Sequence, residues 1–177
     1  MNRGNQNQKP KAIIFDLDGV LFNVDSRLMV CLMKAHGNKL RFWELFLSDK
    51  YMHLDEPNEK IIEYVRKKYN DGYKIIIVTG RCEGTQKEAT LEQLKKYNIP
   101  YNEIYFRKLG DFRKDYMYKS EVISKLLEKY EIVEVWDDSK DVINELKKIL
   151  PKARLKLVSH HGASYRIHGL QLRRLHL

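Results

Sequence analysis

The chain predicts an α/β architecture in three layers, with a mostly parallel sheet covered by helices on both faces, and three observations predict it. Short apolar runs of strand length alternate with longer segments whose apolar residues recur at helical spacing. The runs are almost continuous in Ile and Val, as strands buried on both faces are. Several of them stop abruptly in Asp, Thr or Arg, the residue types expected where strand carboxyl ends meet a ligand. With 177 residues, 43% of them hydrophobic, the chain can build one full core.

Residues 1–10 are polar, rich in Asn and Gln, and read as a flexible arm with nothing to bury. Ala12-Ile13-Ile14-Phe15 is the first buried strand, ending in Asp16-Leu17-Asp18-Gly19-Val20, where Gly19 lets the chain turn away. A helical insertion is expected over 22–56. Leu28, Cys31, Leu32 and Ala35 form one helix stopped near Gly37, and Leu40, Trp43 and Leu47 a second. Its aromatics could stack on bases, but their helical spacing favours packing. Pro57 reads as a first-turn proline of a helix carrying Ile61, Ile62, Val65 and Tyr69, which stops at Asn70-Asp71-Gly72.

Tyr73 to Val78 is the second strand, ending in Thr79-Gly80-Arg81. Thr85-Gln86-Lys87-Glu88 matches a capping box, which places a helix start near residue 86. A third strand is expected over 103–107, then a helix over 115–130 with Val122, Ile123, Leu126 and Leu127 on its apolar face. Ile132 to Trp136 is the fourth strand and ends in Asp137-Asp138. Val142, Ile143, Leu146 and Leu150 mark a helix halted by Pro151, and 154–158 a fifth strand. Residues 11–158 thus make one domain, and 159–177 a basic tail without a recognisable element.

No apolar run reaches the length of a membrane span, and no signal peptide is visible. Cys31 and Cys82 lie in unrelated segments, which suits reduced thiols and a cytoplasmic protein. The net charge of +9 is unevenly placed: residues 140–177 hold nine Lys/Arg against two acids, or +7. Such a block suits a polyanion such as nucleic acid, and equally a solvated face. The stretch Arg107-Lys108 to Arg113-Lys114, interleaved with aromatics, could track a nucleic-acid backbone or form a basic loop whose rings pack inward. The histidines at 160, 161, 168 and 176 fit no zinc spacing.

An isolated Asp-x-Asp-Gly is as readily an acidic turn as an active site. The other strand ends weigh for the site, because Thr79, Arg81, Asp137 and Asp138 should share an edge with it, and Lys119 falls in the first turns of a following helix. On an extended backbone Asp16 and Asp18 project to one side and can converge on one ligand. Two or more hard carboxylates favour Mg²⁺ and a phosphoryl group. Phosphate-ester chemistry then assigns Asp16 as nucleophile, Asp18 as the acid that protonates the leaving oxygen and later activates water, and Thr79 and Lys119 as phosphoryl-oxygen ligands. Asp137 and Asp138 complete the metal shell.

The set Asp16-Leu17-Asp18-Gly19-Val20, Thr79, Lys119 and Asp137-Asp138 resembles the haloacid dehalogenase (HAD) superfamily over residues 11–158. That resemblance implies a three-layer Rossmann-like HAD fold and a phosphatase in which Mg²⁺ takes the backbone carbonyl of Asp18, leaving its side chain for acid–base work. Between these motifs, Thr79-Gly80-Arg81, Gly84-Thr85, Phe106-Arg107, Gly110-Asp111, Arg113, Asp115 and Lys119 resemble the 3′-phosphatase half of phage polynucleotide kinase/phosphatases. This second resemblance implies that Gly80, Arg81, Arg107, Arg113 and Asp115 bind substrate, and that the substrate is a polynucleotide 3′-phosphate met in nucleic acid repair. No Gly-x-x-x-x-Gly-Lys-[Ser/Thr] loop is present, so no kinase half is expected. A phosphatase of free nucleotides or other small phosphate esters is the alternative, and a nucleic-acid-binding module without turnover a more distant one.

Overall fold

The computed structural model describes residues 8–159. Strand β1 (Lys11–Phe15) lies at the centre of a five-stranded parallel sheet. Across it the order is β5 (Glu103–Arg107), β4 (Lys74–Cys82), β1, β6 (Glu131–Asp137) and β7 (Arg154–Leu157). Successive side chains of a strand alternate between faces. Ile13 and Phe15 with Ile75 and Ile77 therefore enter one core, which also takes Ile62 and Val65 of α3 (Glu59–Asn70) and Leu94 of α4 (Glu83–Lys96). Ala12 and Ile14 with Ile76 and Val78 enter the opposite core, against Ile123 and Leu126 of α5 (Asp115–Leu126) and Val142 and Leu146 of α6 (Lys140–Ile149). The three-layer arrangement follows from this alternation.

The segment between β1 and α3 folds as a small helical unit. It holds α1 (Asp25–Ala35), α2 (Lys39–Phe46) and a 3₁₀ turn over Met52–Leu54. Leu28, Cys31, Ala35, Phe42 and Leu45 form its own small core. Helix α1 ends in a left-handed His36, followed by Gly37 at φ 80°. The unit starts and finishes in a two-residue antiparallel ribbon, Phe22–Asn23 (β2) against Glu56–Pro57 (β3). So short a ribbon leaves no pattern in sequence. It also takes Pro57 out of the helix: Pro57 pairs with Phe22, and α3 begins two residues later behind Asn58.

Helix α4 likewise departs from the capping-box reading. It starts at Glu83 behind Cys82, three residues early, and the Thr85 hydroxyl instead donates to the Leu47 carbonyl of the helical unit. Gln86 turns inward, receiving the Cys82 N–H at 3.0 Å and donating to the Phe46 carbonyl at 3.2 Å. The polar residues of that turn join α4 to the neighbouring unit. Among the described residues, no helix is long and apolar enough to cross a membrane. Residues 1–7 of the expected 1–10 arm and 160–177 of the expected 159–177 tail lie outside the described residues.

Candidate active site

Strands β1, β4 and β6 lie side by side and parallel, so their carboxyl ends open on one edge. There Asp16 follows β1, Thr79, Gly80 and Arg81 occupy the end of β4, and Asp137 closes β6 with Asp138 next to it. Lys119 on the second turn of α5 reaches into the centre. Its Nζ lies 2.7 Å from Asp16 Oδ2, 2.7 Å from Asp137 Oδ2 and 3.0 Å from Asp115 Oδ2. The Leu17 N–H donates to the other Asp16 oxygen at 2.7 Å, and the Ser139 N–H to Asp137 Oδ1 at 2.8 Å.

Burial decides the electrostatics. It pushes the Asp16 carboxyl well above the usual carboxylate range despite Lys119, and Asp137 up to about 6 despite the same lysine. Burial would also discharge Lys119, but Asp115, Asp137 and Asp16 outweigh it and hold the ammonium well above its usual value. For Asp115, burial is overcome by Lys119 and Arg107, and the carboxyl stays below its usual range. One ammonium is thus shared among three acids, with a fourth at its side. Carboxylate oxygens of Asp16, Asp137 and Asp138 all lie within 4.8 Å of one another, a set of hard donors that fits Mg²⁺.

Asp18 takes a different path from Asp16. The strand ends at Phe15, Gly19 turns at φ 79°, and Asp18 takes partners of its own while both carboxylates line one cleft. Asp18 accepts from Arg81 Nε at 2.8 Å and pairs with Arg27 at 2.8 Å. Burial alone would raise it, yet Arg27 and Arg81 hold it down at about 2. Behind Asp18 sits Asp55, 2.9 Å from Arg27 Nε and 3.0 Å from Arg81. Asp18, Arg27, Asp55 and Arg81 therefore close a ring of alternating charge. Arg27 lies over the Phe46 ring at 4.5 Å, and Arg81 is further held by Thr90 and Gln93.

Sequence reasoning missed Arg27 and Asp55. A signal existed for the first: Arg27, Cys31 and Ala35 share the buried face of α1 at i, i+4 and i+8, where an arginine must find a partner.

The remaining residues are placed as follows. Arg107 pairs with Asp115 at 2.5 Å and donates to the Arg113 carbonyl, and its guanidinium lies 4.9 Å from the Tyr118 ring centre. Arg113 is half exposed and pairs with Asp111 and Glu121, at the outer margin. Thr79 is wholly buried, its hydroxyl oxygen receiving the Arg81 N–H at 3.2 Å. At Gly80 a Cβ would stand 3.0 Å from Asp115 Oδ1, the oxygen that meets Arg107, so a larger residue there would crowd that carboxylate.

Over this floor opens a cleft of about 810 Å³ lined by Asp16, Asp18, Gly80, Arg81, Asp115, Lys119 and Asp138. One wall is Leu40, Phe42, Trp43 and Phe46 of α2, and the other is the loop carrying Lys108, Leu109, Phe112 and Lys114. The insertion aromatics pack on one another, Phe42 stacking on Phe46 at 5.6 Å, and also face the cleft. Leu40, Leu109 and Phe112 are each at least 66% exposed, an apolar rim around a charged floor.

A family model described as the polynucleotide kinase PNKP phosphatase domain matches residues 44–152. The chain belongs to this family. It is a phosphatase of the HAD superfamily, with the parallel-sheet α/β fold of its neighbours. Among solved structures, a chain of the Pnkp1/Rnl/Hen1 complex is 26% identical with a TM-score of 0.65, covering 89% of this chain and 48% of its own. A chain of the Pnkp1/Rnl/Hen1 RNA repair complex is also 26% identical, TM-score 0.63, covering 85% of this chain and 44% of that one. The chain therefore spans about half the length of these relatives. A phospho-aspartyl intermediate analogue of phosphoserine phosphatase shares the fold at 16% identity and TM-score 0.54, covering 87% of this chain and 95% of that one.

Proposed function

We propose that this domain removes phosphate from the 3′ end of a nucleic acid through an aspartyl-phosphate on Asp16, with Mg²⁺ in the site. The observation that carries the reading is the meeting of Asp16, Asp115 and Asp137 on one buried ammonium, Lys119, at the foot of the cleft. Asp16, Asp138 and Asp137 would hold the metal with the backbone carbonyl of Asp18. Bound there, it would screen the charge of carboxylate and phosphate from one another. Asp138 lines the cleft and Asp137 does not, which favours Asp138 as the direct ligand.

The chain's own residues do the rest. A carboxylate oxygen of Asp16 attacks phosphorus as the ester P–O bond breaks, and Asp18, which must first take up a proton from water in the cleft against the pull of Arg27 and Arg81, passes that proton to the departing oxygen. Water, losing its proton to Asp18, then attacks the same phosphorus and frees Asp16. Lys119 and Thr79 would hold phosphoryl oxygens, and Gly80 leaves Asp115 and Arg107 undisturbed. Arg81, Arg107 and Arg113, with Asp115 orienting Arg107, would surround the phosphate and the strand that bears it. Nucleic acid as substrate is supported by the family, by the RNA repair complex in which a relative was solved, and by Lys108, Lys114 and Lys140 along the cleft.

The test is phosphate release from a 3′-phosphorylated oligonucleotide, a 5′-phosphorylated one and mononucleotides, with Mg²⁺ present. Preference for the 3′-phosphorylated oligonucleotide is expected. Equal or better turnover of mononucleotides would replace this reading by that of a small-ester phosphatase.

A further inference from the structure

Resting on the reading of the floor as a 3′-phosphatase site, we infer that the apolar walls above it form a slot for the base of the terminal nucleotide, with Phe112 on one face and the α2 aromatics on the other. The cleft holds about 810 Å³, a volume that takes a drug-sized molecule and leaves room beyond the phosphate at its foot. Leu40 is 66% exposed, Leu109 74% and Phe112 75%, and all three border this one cleft. A single exposed apolar side chain needs no explanation. A cluster of them rimmed by charge marks a surface that a ligand covers.

Phe112 is held outward by its neighbours in the chain. Gly110 turns at φ 83°, and Asp111 Oδ1 accepts the Arg113 N–H at 3.1 Å and Arg113 Nε at 3.0 Å, which closes a tight turn with Phe112 at its apex. Arg107 donates to the Arg113 carbonyl and so ties that turn to β5. Both walls are also seated on the first turn of α4. At Gly84 a Cβ would stand 3.4 Å from Leu109, so the leucine lies against that turn, and the adjacent Thr85 hydroxyl donates to the Leu47 carbonyl at the end of α2. Gln86 adds a bond to the Phe46 carbonyl at 3.2 Å. The slot is thus braced before a strand arrives, which lowers the ordering cost of binding.

Lys108, Lys114 and Lys140 stand among these apolar side chains. Cations beside flat apolar faces match what a nucleotide strand presents, an anionic backbone bearing aromatic bases. A 3′-phosphate held at the floor sets the base of its own nucleotide between the walls. Stacking uses the π face that every base has, so the slot selects a base over none and not one base over another.

The experiment compares two single-stranded 3′-phosphorylated oligonucleotides of equal length, one with a base on its terminal nucleotide and one whose terminal sugar is abasic. They carry the same phosphates, so the lysine contacts cancel. For the full chain the abasic end should raise KM about tenfold or more with kcat within about twofold, the mark of binding shared by ground and transition states. That ratio should persist from about 50 to about 200 mM salt while both KM values rise together. In Phe112→Ala, whose exposed position spares the core, the ratio should shrink to about threefold or less. Equal KM for the two ends in the wild-type chain, or a Phe112→Ala variant that weakens both ends alike, would overturn the proposal. Binding of the same strands to Asp16→Asn, read without turnover, separates this failure from that of the catalytic reading. Tighter binding of the base-bearing strand by about tenfold supports the slot even where the wild-type chain releases no phosphate, a result that would defeat only the assignment of the floor. Equal affinity for the two strands, or none for either, defeats the slot.

Discussion

At the scale of single residues, the catalytic acids are held against their own preference. Asp16 would rather be protonated where it lies, and its charge is tolerated because Lys119 stands 2.7 Å away. A carboxyl whose native value lies above its unfolded one destabilises the fold once pH exceeds both. Asp16→Asn should therefore abolish phosphate release while raising stability at neutral pH by about 1 kcal/mol, some 2–4 °C for a domain of this size. Steady-state assay and a thermal melt check the two halves, and residual turnover in pure variant would discard Asp16 as nucleophile. The same shifts fix a pH dependence. Between the unfolded carboxyl value near 4 and about 6, native Asp137 binds a proton the unfolded chain does not, so metal-free stability falls as pH rises through that window. Mg²⁺ competes with those protons, so the rise in Tm on adding it should be small at pH 5 and grow through pH 6 toward pH 8. A Mg²⁺ shift independent of pH would mean that these carboxylates do not hold the metal.

At the scale of elements, the helical unit over α1 and α2 is tied to the sheet through Arg27. It pairs with Asp18 of the core and donates to the Phe46 carbonyl within the unit at 3.3 Å. Arg27→Gln should raise hydrogen exchange in α1 and α2 by about tenfold or more, with the central strands changed much less. Uniform loss of protection would show instead that unit and sheet open together. These elements also show what a sequence discloses. Strands β1, β4 and β6 were legible because burial on both faces demands continuous Ile and Val, and their polar ends were legible because the pattern breaks there. The edge strand β5 was read to its observed ends between Pro100 and Gly110. Asp55 was not legible as a partner of Arg27 and Arg81, since charge beside a turn looks solvated until the fold brings 27, 55 and 81 together, and the place of Arg27 on the buried face of α1 showed the need for a partner but not which. The two-residue ribbon β2–β3 has no periodicity to detect.

At the scale of the whole molecule, charge is arranged differently at the floor of the cleft and at its mouth. The floor is enclosed and nearly self-neutralised, each arginine and lysine spoken for by a carboxylate. A small phosphate monoester that reaches only this floor should feel the protein's +9 weakly. The outer cleft differs, because Lys108, Lys114 and Lys140 line it together with the exposed Leu109 and Phe112. A strand lying there would exchange condensed counterions for lysines, and each phosphate so neutralised adds about 0.7 to the log–log salt slope for single strands. If two phosphates are contacted the slope is about 1.4, and raising salt from 50 to 200 mM, a fourfold change, should raise KM for a 3′-phosphorylated oligonucleotide about sevenfold. The KM for p-nitrophenyl phosphate should move by less than about twofold, since its contacts are short-range and buried. Replacing Lys108 and Lys114 together by Gln should flatten the oligonucleotide slope and leave the small substrate unaffected. Parallel salt dependence for both substrates would place the electrostatic attraction at the catalytic floor and remove the outer cleft as a path for the strand.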